Sequence, residues 1–221
     1  MNWSKLRSFL WIDTRFNFIG KLPMGGNLLD LGSSDGETLN HFHEARPDLH
    51  LYSSDIEGKP ENYPAATSFQ RADITADHLP WDNESMDGIT SMHLVEHISS
   101  FDNFFKQANR LLKTGAKFYI ETPHPKTQYL ISKNTDKAIK FTYNFWDDST
   151  HVQIVPVEKL AEVALNYGFE VKKTGVSRNL LFGFSYLFSF LLSPRKKMIA
   201  KVHFIGWSSY IVLKKTSTHL S

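Results

Sequence analysis

The stretch Leu28-Leu-Asp-Leu-Gly-Ser-Ser-Asp-Gly36 constrains this chain more than any other segment. An apolar run that stops in a polar turn bracketed by glycines reads as a buried strand entering a tight loop, here followed by a helix over 38–45. The same grammar recurs downstream. Residues 50–54 form a second strand ending at Asp55, and 68–72 a third ending at Asp73. A fourth strand spans 87–92. The helix after it carries Phe101, Phe104, Phe105, Ala108, Leu111 and Leu112 at helical spacing. Residues 115–121 form a fifth strand, stopped by Pro123-His-Pro125. A helix over 157–167 ends at Gly168, and strands at 169–176 and 208–213 close the pattern. Strands alternating with helices, built from continuous apolar runs, predict a largely parallel sheet covered on both faces.

Ligands of such sheets lie beyond the carboxyl ends of the strands. That rule selects Asp30 to Gly36, Asp55, Asp73, Met92 to His97 and Glu121 to His124. The glycine loop does not fit a dinucleotide fingerprint, because Ser34 stands where the middle glycine must let a pyrophosphate approach, and Gly36 follows Gly32 by four residues. It suits a ligand without phosphate there, whose amino-acid end is held by backbone groups and Asp30. Asp55 is placed to accept from ribose hydroxyls. Asp73 can take an adenine amine, with Ile56 and Ile74 against the ring. A turn cap is the ordinary use of one such aspartate; three in sequence at successive strand ends point to a nucleoside.

In these features the chain resembles the class I S-adenosylmethionine-dependent methyltransferases. The resemblance rests on the glycine loop at 28–36, the acidic end at Asp55, Arg71-Ala-Asp-Ile74, the segment from Leu79-Pro-Trp through Ser85-Met-Asp-Gly-Ile-Thr-Ser-Met-His-Leu-Val-Glu-His-Ile98, and Leu111-Leu-Lys-Thr-Gly-Ala-Lys-Phe-Tyr-Ile120. It covers roughly residues 27 to 168. It implies a Rossmann-like seven-stranded, mostly parallel sheet with the last strand antiparallel, and S-adenosylmethionine as cofactor. Asp30, Gly32, Ser33, Ser34 and Gly36 would border its methionine portion, Asp55 the ribose, Asp73 and Ile74 the adenine, and Ser91 and Met92 the sulfonium end.

One domain is expected over 1–221: an N-terminal helix within 1–20, with Trp3, Leu6, Phe9 and Leu10 on one face, a cofactor core at 27–124, an acceptor loop at 125–155, and an apolar insert at 178–206. Methyl transfer is an in-line displacement, so the protein mainly aligns acceptor and methyl group and excludes water. A hydroxyl acceptor also gains from a base, a role histidine suits near neutral pH. His93, His97, His124 and His151 gather at the expected rim. The segment Asp147-Asp-Ser-Thr-His-Val152 resembles one in methyltransferases of glycan, lipopolysaccharide and natural-product pathways, which makes His151 the first candidate base or orienting group and His124 the second. His93, His97, Tyr129, Tyr143, Phe145 and Trp146 are expected to line the acceptor pocket.

His93, Glu96 and His97 occupy the turn that carries Glu-x-x-Glu-His in quinone-biosynthesis O-methyltransferases, where it resembles a weak divalent-metal site. Histidine in the first position suits a hard cation poorly. The expectation is therefore no metal, with Glu96 and His97 tying the helix start.

The absence of cysteine removes disulfides and thiolate chemistry and fits a reducing compartment. A net charge of +2, without a basic stripe, disfavours nucleic acid as substrate. Residues 180–192 are strongly apolar and precede Pro194-Arg-Lys-Lys197. They are too short to span a bilayer. They read either as a helix completing the acceptor pocket or a dimer face, or as a peripheral membrane contact through 180–197 that grips a lipid-borne acceptor. The reading is thus O-methylation of a small-molecule, glycan or lipid-linked acceptor, in the cytoplasm or at the inner membrane face. The alternatives are a quinone or natural-product O-methyltransferase and a non-catalytic interaction module.

Overall fold

A computed structural model describes residues 12–133 and 143–216. It contains one seven-stranded sheet in the order β3-β2-β1-β4-β5-β7-β6. The strands are β1 (Asn27–Leu31), β2 (His50–Asp55), β3 (Ser68–Arg71), β4 (Met86–Met92), β5 (Leu112–Pro123), β6 (Phe169–Ser177) and β7 (Ser208–Lys215). The helices are α1 (Thr14–Ile19), α2 (Glu37–Ala45), α3 (Asp102–Leu111), α4 (Val157–Leu165), α5 (Leu180–Ser185) and α6 (Pro194–Ile205). All pairings are parallel except those of β7, which runs antiparallel between β5 and β6. The Rossmann-like expectation, with its last strand reversed, holds.

Neighbouring residues of one strand serve opposite faces, as the two-residue strand period requires. Leu29 and Phe118 join a core with Phe104, Phe105 and Leu160, contributed by α3 and α4. Leu28 and Tyr119 join the other core, with Phe16, Ile19 and Phe42 from α1 and α2. Strands buried on both faces therefore read as unbroken apolar runs.

The N-terminal helix differs from expectation in its described part. Asp13 is extended and bridges to Asn179, and its carboxylate caps the new helix α1 by accepting from the N–H groups of Arg15 and Phe16. A side chain that can satisfy free helix N–H groups starts a helix where periodicity alone sees continuity. Trp3, Leu6, Phe9 and Leu10 lie outside the described residues. The apolar insert is not one buried helix. It folds as α5, a 3-10 segment Tyr186–Leu191 and α6, standing between β6 and β7.

Candidate active site

The loop after β1 turns on Gly32 and Gly36, both left-handed with φ of 75° and 77°. A Cβ on Gly32 would stand 2.9 Å from the Leu94 side chain, and one on Gly36 2.7 Å from the Tyr63 ring. Both positions need glycine for conformation and for space. Ser34 is left-handed as well, at φ 48°, and its N–H donates to Asp55 Oδ2 at 2.8 Å.

Beside this loop lies a cavity of about 340 Å³, lined by Gly32, Asp55, Ile56, Asp73, Ile74 and Leu94 among others. No lysine or arginine is among its lining residues, so it is ill suited to phosphate and well suited to a neutral nucleoside between isoleucines and carboxylates. Asp55 and Asp73 also cap their own turns. Asp55 Oδ1 accepts from the N–H groups of Glu57 and Gly58, and Asp73 Oδ1 from the N–H and hydroxyl of Thr75. Capping and ligand binding are thus not alternatives here. With Oδ1 filled, Asp55 offers a ribose its Oδ2, which keeps one lone pair beyond the Ser34 contact, rather than both oxygens.

Asp30 is buried and accepts from the Thr90 hydroxyl at 2.7 Å. Burial pushes its pKa up to about 7, against the Thr90 hydrogen bond. Ser33 is turned inward, its Oγ bonded to Ser53 and Tyr63. The buried hydroxyls of Ser54 and Ser91 have no partner, and buried polar groups normally have one. Met92 packs against the α1–α2 core. This set fits S-adenosylmethionine: glycines that admit close approach, carboxylates at the ends of β1 and β2 and just past β3, and the orphaned Ser54 hydroxyl on the cavity wall, where a ligand supplies the bond.

A second cavity, about 370 Å³, lies beyond the same strand ends. His93 lines this one and Leu94 the first, so the loop after β4 borders both. Its walls come from Asp13 and Arg15 before and in α1, Glu37 and His41 of α2, Glu121 of β5, and Phe182, Met198, Val202 and His203 of the insert. His93 is a non-glycine residue at φ 55°, a costly conformation that concentrates at functional sites. Its Nδ1 lies 3.2 Å from Glu96 Oε1, and its Nε2 3.5 Å from Glu121 Oε1. Burial works to discharge the ring, but the hydrogen bonds and charges of Glu121 and Glu96 outweigh it and raise its pKa to about 9.

Burial also opposes ionisation of Glu121. The His93 contact, the charge of Arg15 and a 2.7 Å bond from Ser177 Oγ overcome that and hold its carboxyl well below the usual range. Tyr119 donates to the same carboxylate at 2.8 Å. Desolvation works against the Arg15 guanidinium too, yet Asp13 and Glu121 keep it firmly charged.

Of the histidines picked from sequence, only His93 is on the wall of this cavity; His97 borders the nucleoside cavity. His151 stacks on Phe145 at 4.2 Å between centroids, and its Nδ1 lies 2.6 Å from the Phe145 carbonyl. His124 Nδ1 accepts from the Lys126 N–H at the start of a 3-10 turn. Neither lines a described cavity. Phe145 is buried, Tyr129 and Trp146 are exposed, and the Tyr143 carbonyl accepts from Trp207 Nε1. The acceptor loop thus reaches the cavity through Trp207, itself a lining residue.

The trio weighed for metal is not the one the chain assembles. Among the described residues, ligand atoms of Glu96, His97 and His151, not His93, lie within 4.8 Å of one another. Both His97 and His151 have their Nδ1 against a backbone carbonyl, of Thr150 and Phe145.

Asp13, Arg15, Glu37 and Trp207 carry no motif in sequence. Glu121 sits at a strand end that the topology flags, but nothing local marks it as a partner of His93.

A family model described as "Methyltransferase domain" matches residues 3–174. No curated protein sequence matches. Solved structures similar to this chain include a chain of the Haloferax volcanii complex containing the Trm112 methyltransferase activator, with 17% identity, coverage of 96% of this chain and 93% of that one, and TM-score 0.64. A Mesorhizobium loti S-adenosylmethionine-dependent methyltransferase gives 16% identity, coverage of 90% and 96%, and TM-score 0.61. Geranyl diphosphate C-methyltransferase of Streptomyces coelicolor, in complex with Mg²⁺, geranyl diphosphate and S-adenosylhomocysteine, gives 10% identity, coverage of 96% and 79%, and TM-score 0.61.

Proposed function

This chain belongs to the S-adenosylmethionine-dependent methyltransferases, and we propose that it methylates an oxygen of a small, glycan or lipid-linked acceptor held in the cavity beside His93. The observation that carries this reading is His93, held between Glu96 and Glu121 and lining that cavity together with Glu121, one residue away from the wall of the nucleoside cavity. Bound S-adenosylmethionine supplies a methyl group on a sulfonium, open to in-line attack. Asp30, the 32–36 loop, Asp55, Ile56, Asp73 and Ile74 hold it, with Ser91 and Met92 toward the sulfur.

His93 does two things. As an imidazolium it keeps Nδ1–H on Glu96 and points Nε2–H toward Glu121 and Ser208, so an acceptor oxygen binds it by taking the place of the long Glu121 contact at Nε2. After losing the Nε2 proton near pH 9, the ring takes one there from the acceptor hydroxyl as the methyl group moves to that oxygen, with Nδ1–H still held by Glu96 and the nearby Glu121 charge stabilising the imidazolium that results. Glu121 is fixed by Ser177, Tyr119 and Arg15, so the ring is aimed by a rigid strand. Phe182, Met198 and Val202 form an apolar wall that keeps water out. His151 and His124 enter as positioning groups for the acceptor loop and not as bases, and the working place is the cytoplasm or the inner membrane face.

The test is His93→Gln set against His151→Ala. His93→Gln is expected to retain S-adenosylhomocysteine binding by calorimetry and to lower kcat on a hydroxyl acceptor by about 10²–10⁴-fold, the usual worth of a general base. A loss of turnover in His151→Ala as deep as that, with His93→Gln near wild type, would return the base to His151.

A further inference from the structure

Residues 171–221 hold nine lysines and arginines and not one aspartate or glutamate. In the middle of this stretch stands the hairpin of α5, the 3-10 segment and α6. Phe182 and Gly183 face inward. Leu180, Phe184, Leu187, Phe188 and Leu191 are all exposed, and the Phe184 and Phe188 rings lie 5.9 Å apart across the kink between the α-helical and 3-10 parts. Phe190 next to them is 78% accessible and Leu191 73%. Folded domains rarely leave so many large apolar side chains together in water without a use for them. At the foot of the patch Arg195, Lys196 and Lys197 are exposed as well.

We propose that this hairpin docks on an anionic phospholipid surface, its phenylalanine and leucine face entering the acyl boundary and Arg195–Lys197 meeting the lipid phosphates. No described helix is long and apolar enough to cross a membrane, so the contact lies in the interface. A second copy of the chain is a poorer occupant. A two-fold contact sets the same patch against itself, so Lys196 and Lys197 would approach their own images with no acidic residue in 171–221 to offset them, while Arg195 stands 4.0 Å from Glu37 of α2.

The hairpin also has an inner side. Phe182, Met198, Ile199, Val202 and His203 line the acceptor cavity. Docking therefore brings that cavity to the lipid surface, where a lipid-borne hydroxyl reaches His93 without crossing water. This delivery rests on the proposed methyl transfer; the docking does not.

The experiment is co-sedimentation of the full chain with vesicles of phosphatidylcholine, with and without phosphatidylglycerol, at low and high salt, beside calorimetry with S-adenosylhomocysteine. The wild-type chain is expected to sediment with the anionic vesicles and to lose affinity with salt. Phe190→Ser with Leu191→Ser is expected to weaken partitioning at least about tenfold. Lys196→Gln with Lys197→Gln should weaken it roughly fivefold per charge. Both double variants should bind S-adenosylhomocysteine as before, which shows them folded. Failure to sediment at low salt overturns the proposal. So does vesicle binding that neither variant changes, or a dimer broken by Phe190→Ser with no vesicle binding. If vesicles bind and S-adenosylhomocysteine does not, docking stands and the cofactor reading falls.

Discussion

His93 Nε2 and Glu121 Oε1 stand 3.5 Å apart, one on the loop after β4 and the other near the end of β5. Those strands are hydrogen-bonded neighbours, with Met92 in register with Glu121, so the sheet itself sets the distance. A ring held this way is a stronger base and a more persistent cation than a free histidine.

The pH dependence of turnover follows from that pair. With His93 near pKa 9, the fraction able to accept a proton grows as pH rises toward 9, so kcat/KM should climb across that interval. Glu121→Gln removes the main opposing charge and should move the climb to lower pH, toward the ordinary histidine value of about 6.5. NMR titration of the His93 ring reads the same shift without an acceptor.

Asp55→Ala should weaken S-adenosylhomocysteine binding beyond the loss of one ligand contact. The carboxylate also accepts from the N–H groups of Ser34, Glu57 and Gly58. A charge-assisted hydrogen bond contributes about 1.5–3 kcal/mol, a factor of roughly 10–150 in affinity. Loosening of the Ser34 turn adds to it. Calorimetry measures the sum, and Asp55→Asn should recover part of it.

Gly36→Ala should destabilise the unliganded chain. The left-handed backbone alone costs a side-chain-bearing residue about 1–2 kcal/mol. A Cβ there would also stand 2.8 Å from the Asn62 carbonyl, a backbone atom that gives way less easily than a side chain. A thermal melt without ligand reads both effects.

Asp30 makes stability fall with pH in one defined window. Its folded pKa is about 7 against 3.8 unfolded, so the folded state binds the extra proton. The cost of losing it builds between about pH 4 and 7 and is constant above. Asp30→Asn lacks this term. The melting temperature of the wild type, relative to Asp30→Asn, should therefore drop from pH 4 to pH 7 and then level. A flat difference would mean that Asp30 stays ionised through the range.

The sheet was legible because each buried strand is an apolar run with a polar stop, and the nucleoside cavity because its walls come from those stops. Gly32, Asp55, Ile56, Asp73 and Ile74 line it, while Asp30, Ser33, Ser34, Gly36, Ser91 and Met92 are not among its lining residues. The acceptor cavity was not legible. Asp13, Arg15, Glu37 and Trp207 are brought together by the approach of α1, α2 and the insert, which no local pattern records. His151 stands out through motif resemblance and His124 through its place after the fifth strand, but strand register rather than motif decides which histidine meets Glu121. For the insert the sequence leaves pocket wall and peripheral contact both open, because an unbroken apolar run such as 180–192 does not say which side chains a neighbour covers.

The antiparallel seating of β7 has a consequence for how such a chain can change. Ser177 and Ser208 are register partners, so the thirty or so residues between them leave the sheet and return to adjacent rungs. Lengthening or shortening an excursion whose ends are already pinned together costs little, about 0.6 kcal/mol per doubling of loop length. The segment that walls the cavity beside His93 can therefore change in length while the strand register around it stays the same.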